Sequence, residues 1–379
     1  MSVTNIPEKV RIRLWGKAAG CCQYSGCNEP LWLDSITKYE FNAAYIAHII
    51  ADSSDGPRGH PTLSRQLEAD ITNLMLMCDK HHRLIDREDV AGHSVERLRA
   101  MKSVHEQRIE IVSGIADDKR SHILLYGANI GVHNSPLCFA DAARAMIPER
   151  YPADIHPLSL GLKNSSFEDR SGTYWTIEVE HLKNLVNQQV RTRLKTDEIT
   201  HLSVFAFAPQ PLLILLGSLL SDIPAVEVYQ RHREPTCWKW ETEPDNFKYI
   251  VTEPKEVAGP PALIFSLSAN IEEKRIIKVV GKDVSIWRVT IPSPHNDFLK
   301  SRQQAQSFRQ QMRLLMDLIK LRHGEKEVIH VFPAMPVCLA VEFGRILMPK
   351  ADLSLRIYDE NKVLGGFVHA IDINPDKTS

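Results

Sequence analysis

Apolar positions recur at Val95, Leu98, Met101, Ile109 and Val112, the spacing of a one-sided helix over Ser94–Val112. The stretch that follows, Ser113–Ser121, is short, polar and contains a glycine, and it reads as a domain boundary. The ILLY run from Ile123 to Tyr126 then opens a new strand. Beyond it, short apolar runs alternate with helical stretches, which predicts an α/β domain.

Two segments of that domain share one punctuation. Leu202–Phe207 (LSVFAF) predicts a buried strand, followed by Pro209 and Pro211, a helix from about Leu212 to Leu220, and a strand ending at Tyr229. Val328–Phe332 (VIHVF) is followed by Pro333 and Pro336, a helix through Leu347, and a strand ending at Tyr358. The late-helix glycines, Gly217 and Gly344, lie 127 positions apart, and the two tyrosines 129. The match predicts a duplicated, pseudo-symmetric Rossmann-like domain. Its turns at Ala208–Pro211 and Pro333–Pro336 would open at the carboxyl ends of the strands, where open α/β sheets bind ligands. Helix N-termini at those turns suit phosphate.

The length of 379 residues suits two domains, and 43% hydrophobic with 25% charged residues is an ordinary globular balance. No apolar run approaches the roughly 20 residues that span a bilayer. Met1–Arg13 lacks the apolar core of a signal peptide, so a cytoplasmic protein with no membrane partner is expected. Seven cysteines, an odd number, argue against a disulfide framework. Four of them fall within the first 78 residues, as metal ligands do, while Cys138, Cys237 and Cys338 are expected to be small buried hydrophobes. Residues 1–116 carry 14 Lys and Arg against 15 Asp and Glu, so the basic footprint of a tight nucleic-acid binder is missing. Contact with DNA must then rest on a metal ion and a few placed basic groups, or on several copies acting together.

The chemistry concentrates early. Cys22 and Cys27 flank a glycine turn, and Cys78 and His81 sit at a strand-to-helix junction. Thiolates and an imidazole delivered from two such knuckles meet the tetrahedral preference of a structural zinc ion. Cys21 could replace Cys22, although the spacing favours the latter. His48, in the apolar strand AYIAHII, and His82 are not needed by that site. In phosphodiester hydrolysis one imidazole deprotonates water while a hard cation stabilises charge on the phosphoryl oxygens. Arg58 and Lys80 could contact phosphate or be solvated surface.

This set resembles the HNH, or ββα-metal, endonucleases, whose signature is a first His, a middle Asn and a last His interleaved with zinc-knuckle cysteines. The resemblance implies that His48 is the general base, that Asn73 braces the loop or helps hold the metal, and that His82 is a ligand of catalytic Mg²⁺. Many members place Asp before the first His, where this chain has Ala47. The metal shell would then be completed by Asp52 or Asp55, water or DNA phosphate.

The C-terminal two-thirds resembles the SAVED domain, a sensor of cyclic oligonucleotides built from two CARF-like halves. The resembling segments are Val204–Gly217, Val226–Trp240 and Val331–Pro349. Together the two resemblances imply an HNH–SAVED effector of bacterial CBASS antiphage systems, in which a cyclic di- or trinucleotide turns on destruction of double-stranded DNA. They divide the chain into a nuclease domain (1–114), a linker (115–121) and a sensor (122–379). Trp238 and Trp240, two apart, would share one side of a strand and stack on bases. Arg231, His232 and Arg233 would meet phosphates, and Ser218 and Arg345, after the paired glycines, join Pro209 and Pro333 as ligand candidates. The near-zero charge of the first domain further predicts a ligand-induced homo-oligomer that pairs nuclease domains. A different class remains open: a restriction-type endonuclease whose C-terminal domain recognises DNA. A zinc-finger binder without catalysis leaves His48 and His82 unexplained.

Overall fold

The computed structural model describes residues 4–129, 137–161, 172–221, 223, 225–244, 246–361 and 365–374. The chain divides into two compact units, Met1–Ala116 and Asp117–Ser379, with the boundary inside the polar stretch. The last five residues of the expected sensor lie outside the described residues.

Unit 1 runs α1 (Glu8–Ala18), β1 (Tyr45–His48), α2 (Leu63–Gln66), β2 (Leu74–Met77), α3 (Asp79–Arg83) and α4 (Val95–Ser113). Strands β1 and β2 pair antiparallel, His48 opposite Leu74 and Ala47 opposite Met75. Helix α3 continues as a π-helical turn over Leu84–Glu88. Ser94 caps α4 by accepting from the Arg97 amide, which satisfies one orphan donor of the first turn. All four residues of β2 are buried, and its core includes Cys22 and Cys78 themselves.

Unit 2 opens with β3 (Arg120–Gly127), α5 (Phe139–Met146), β4 (Tyr151–Pro152), β5 (Leu158–Ser159), α6 (Gly172–Leu185) and α7 (Thr192–Lys195). It continues through β6 (Leu202–Phe207), α8 (Gln210–Leu219), β7 (Val226–Val228), β8 (Ile250–Thr252), β9 (Pro261–Ser266), α9 (Glu273–Val280) and β10 (Ser285–Thr290). It closes with α10 (Arg302–His323), β11 (Val328–Ala334), α11 (Val337–Arg345), β12 (Ser354–Asn361) and β13 (Gly366–Ile373). One sheet has the order β4-β3-β6-β7, with β5 on β3; the other has β13-β12-β11-β9-β10-β8.

The expected repeat is present in the register. Leu202 pairs with Val226 and Val204 with Val228 in parallel; in the second sheet Ile329 pairs with Leu355 and Val331 with Ile357. The first strand and helix of each half are thus offset by 127 positions and the second strand by 129. Phe205 stacks on Tyr229 at 4.4 Å, and Phe332, 127 positions on from Phe205, stacks on Tyr358 at 4.5 Å. Helices α8 and α11 cross at the two glycines. A Cβ on Gly217 would lie 2.0 Å from the Val341 carbonyl oxygen, and one on Gly344 would lie 2.0 Å from that of Ile214. Only glycine lets two backbones approach so closely.

The equivalence corrects one expectation. Pro209 is the N-cap of α8 and Pro336, not Pro333, is the N-cap of α11, with φ of −54 ± 3° avoided by neither ring: their printed values are −53° and −57°. Pro333 lies within β11, beyond Val331, where the ladder to β12 has already ended and no amide hydrogen is required on that side. Of the three scattered cysteines, Cys338 is buried as expected, whereas Cys237 is half-buried and Cys138 exposed. No helix among the described residues is long and apolar enough to cross a membrane.

Candidate functional site

In unit 1 the first knuckle is pinned to β2. Gln23 donates its amide N–H to the Leu76 carbonyl, and its side-chain oxygen accepts from the Leu76 amide. Gly26, at φ 83°, supplies the left-handed turn that brings Cys27 round. The ligand atoms of Cys22, Cys27, Cys78 and His81 all lie within 4.8 Å of one another, the metal-ligand cluster found among the described residues. His81 Nδ1 is 3.2 Å from Cys78 Sγ and 3.8 Å from Cys22 Sγ, and Tyr24 stacks flat on its ring at 4.1 Å. Burial raises the thiol pKa of Cys22 and Cys78 and lowers that of His81, so thiolate charge gathered here needs a cation beside it. Three sulfurs and one imidazole nitrogen at this spacing fit a tetrahedral zinc ion. Cys21 turns away, toward the Ala19 carbonyl.

The adjacent His82 faces the other way, stacked on Tyr45 of β1. It lines a cavity of about 260 Å³ with His48, Asp52, Asp86 and Arg87. His48 Nε2 donates to the Glu68 carbonyl at 2.8 Å, because a carbonyl can only accept. That bond fixes the proton on Nε2 and leaves Nδ1 as the acceptor. Asn73 is fully engaged with backbone: it donates to the Ile50 and Leu67 carbonyls and accepts from the Ile50 amide. It is therefore a brace for the loop and offers nothing to a metal.

Asp86 is the residue that sequence reading missed. It sits four positions after His82 on the π-helical turn, with Oδ2 3.4 Å from His82 Nε2 and Oδ1 2.6 Å from Arg58 Nη2. Burial lowers the pKa of His82 against the opposing pull of Asp86, favouring the neutral imidazole that a metal ligand requires. Arg58 is turned inward, donating also to the carbonyls of Ile49 and Ile85, and so is a strut with no hand free for phosphate. Of the two acids considered for the shell, Asp52 lines the cavity; Asp55 is exposed in the loop and does not. Lys80 is exposed on α3, outside the cavity lining, while Arg87 is an exposed cation at its mouth.

In unit 2 the two equivalent turns frame a cavity of about 630 Å³. Pro209 and Gln210 line it from one half, Met335, Pro336 and Val337 from the other, with Arg231, His232 and Arg233 on one wall and Asp359 and Glu360 opposite. Gln210 bridges the halves by donating to the Met335 carbonyl at 2.6 Å, while its oxygen, buried, has no partner. His232 is wholly buried with both ring nitrogens unpartnered, and burial lowers its pKa. A neutral, unsatisfied imidazole in a cavity wall is a group waiting for a ligand atom rather than a phosphate-pairing cation.

Four ligand candidates lie elsewhere. Trp238 and Trp240 are in no strand; Trp238 is 2% exposed and packs edge-on against Phe205 in the core. The Arg231 guanidinium lies over its ring at 5.3 Å, so Trp238 supports the arginine instead of a base. Trp240 lines a separate cavity of about 520 Å³ beside Arg302 and Arg309. Ser218 bonds back to the Leu215 carbonyl of its own helix. Arg345 is buried against Glu342 and the Val226 carbonyl, closing the back of the helix crossing.

A search among curated proteins finds no match. Among solved structures the chain is similar to the SAVED/CARF-domain containing receptor Cap4 of Acinetobacter baumannii with the cyclic trinucleotide 2'3'3'-cAAA, at 10% identity and a TM-score of 0.43. That match covers 76% of this chain and 61% of the receptor, so the chain spans about three-fifths of the receptor's length. It is also similar to the Moraxella osloensis Cap4 receptor, at 10% identity and a TM-score of 0.37, over 73% of this chain and 58% of that one. The profile of the SAVED family, described as the SMODS-associated and fused to various effectors sensor domain, matches residues 182–373. Those residues are half of the chain and include every wall of the larger cavity, and the chain belongs to the SAVED family.

Proposed function

We propose that the chain is a ligand-gated endonuclease: a cyclic di- or trinucleotide bound in unit 2 turns on Mg²⁺-dependent hydrolysis of double-stranded DNA by unit 1, as an effector of antiphage defence. The observation that carries the sensor half is the 630 Å³ cavity between two equivalent strand–proline–helix turns, inside the residues matched by a sensor family. Its size is that of a small-molecule site, and its helix N-termini and guanidinium groups suit a phosphodiester ring. A pocket of this kind favours a messenger over a duplex-reading surface.

The nuclease half rests on the cavity of unit 1. His48 Nδ1, left as acceptor by the Glu68 bond, takes the proton from the attacking water. A hard cation held by His82, with Asp86 and Asp52 near, would neutralise charge on the phosphoryl and leaving oxygens. Arg58 fixes the orientation of Asp86, and Asn73 holds the loop whose Glu68 carbonyl orients His48. Zinc on the four-ligand cluster is structural. With 14 basic and 15 acidic residues in its first 116, unit 1 binds duplex weakly as a single copy, so ring binding acts by bringing copies together.

The test is the full chain incubated with plasmid DNA and Mg²⁺, with and without a panel of cyclic di- and trinucleotides. Cutting is expected only with a ring present, together with a mass increase in light scattering. His48→Ala should slow it at least about 100-fold while zinc content and ring binding persist. Equal cutting without any ring would remove the sensor half; ring binding with no cutting would remove the nuclease half.

A further inference from the structure

The two walls of the larger cavity are built by equivalent residues of opposite charge. Counting from the registered strand pairs, Tyr229 corresponds to Tyr358, Gln230 to Asp359, and Arg231 to Glu360. Both pairs sit at the carboxyl end of their strands and line the cavity. In the first half the pair presents an amide and a guanidinium. Gln230 is spent on the Cys338 amide and the Arg231 carbonyl, which leaves Arg231, with Arg233 beside it, as the anion-binding group. In the second half the pair presents two carboxylates. Glu360 is engaged by Arg275 at 2.8 Å, so Asp359 is the acid that faces the cavity without a neighbouring cation among the described bonds of its own wall.

A carboxylate in a site for a phosphodiester ring repels the ring's backbone through space. It fits such a site only where the ligand turns N–H donors toward it, and on a nucleotide those are on the edges of the bases. Guanine carries two adjacent donors, N1–H and the exocyclic amine, and meets the two oxygens of one carboxylate. Adenine sets an acceptor, N1, next to its single amine and meets a carboxylate poorly. Resting on the ligand-site reading above, we propose that the cavity binds its cyclic oligonucleotide in one orientation, with a phosphate at Arg231 and a guanine edge read by Asp359.

The experiment is calorimetric titration of the full chain with four probes: cyclic diguanylate, the mixed guanine–adenine cyclic dinucleotide, cyclic diadenylate and cyclic triadenylate. A guanine-containing ring should bind at least about tenfold tighter than the adenine-only rings. Asp359→Asn, which puts a donor beside an acceptor and so suits adenine, should erase or reverse that preference. Arg231→Ala should weaken every ring to a similar degree. If no probe binds, the ligand-site reading fails and this one with it. If adenine-only rings bind as tightly, or Asp359→Asn lowers all affinities alike, the site stands and base reading by Asp359 is wrong. A second measurement without Mg²⁺ guards the result: a preference that vanishes with the cation would make Asp359 a metal ligand instead.

Discussion

Unit 1 and unit 2 are held together by different physics. The core of unit 1 is small, and two of its buried members, Cys22 and Cys78, are ligands of the four-residue cluster. Its loops are tied by single polar residues: Gln23 to β2, Asn73 to the Ile50–Leu67 loop, and Arg58 to three separate segments. Unit 2 has a continuous apolar core running through both halves, with a backbone crossing at its centre. The first arrangement concentrates chemistry at the cost of dependence on an ion. The second spreads stability over many side chains, so a cavity can open between its halves without unfolding either.

The sharpest way to break this contrast is to remove a thiolate. Cys78→Ser should release the metal and lower the melting temperature of unit 1 by more than about 10 °C, since structural zinc contributes several kcal/mol to folding. The transition of unit 2 should stay where it is. Calorimetry with metal analysis reads both, and a retained metal with an unmoved first transition would count against the cluster as a structural site.

The mirror experiment is Gly217→Ala. With the Val341 oxygen 2.0 Å from the new Cβ, the helices must separate, an overpacking cost of about 1–3 kcal/mol. Unit 2 should melt several degrees lower while unit 1 is untouched. An unchanged second transition would mean that the crossing relaxes freely.

The smallest effect is a pH effect confined to unit 2. Glu178 on α6 is 1% exposed, its Oε2 has no partner, and burial pushes its pKa up to about 7. The folded state therefore holds a proton that the unfolded chain releases above its ordinary value of 4.5, and stability falls as pH rises from there through about 7. Glu178→Gln should raise the melting temperature of unit 2 by a few degrees at pH 8 and little at pH 4. Equal shifts at both would argue against a protonated carboxyl.

Much of the fold was legible because its signals are local. Ser94 before a one-sided apolar run gave the cap and length of α4, and matched proline, glycine and tyrosine positions gave the repeat. The cysteine knuckles were readable because ligand spacing is set by the ion, and the sequence also favoured Cys22 over Cys21. Asp86 was hidden because a carboxylate four residues beyond a histidine is common on any helix; only the π-helical turn sets it against Arg58. Trp238 and Trp240 have strand periodicity, but the chain there pairs with no neighbour and instead covers Phe205 and Tyr229. Periodicity reports which face is apolar, not what it packs on. The acids at 359 and 360 ended an apolar strand and carried no signal until the register placed them opposite Arg231.

The glycine crossing also bears on how the two halves can change over time. Neither helix can gain a β-carbon there without displacing the other's carbonyl, and the same oxygen of each copy, on Ile214 and on Val341, blocks its counterpart. One strand later the copies carry Gln and Arg in one case, Asp and Glu in the other. A gene duplication joined at such a point is free to specialise its two ends while its middle stays frozen, and inheritance of the joint is what lets the walls become unlike.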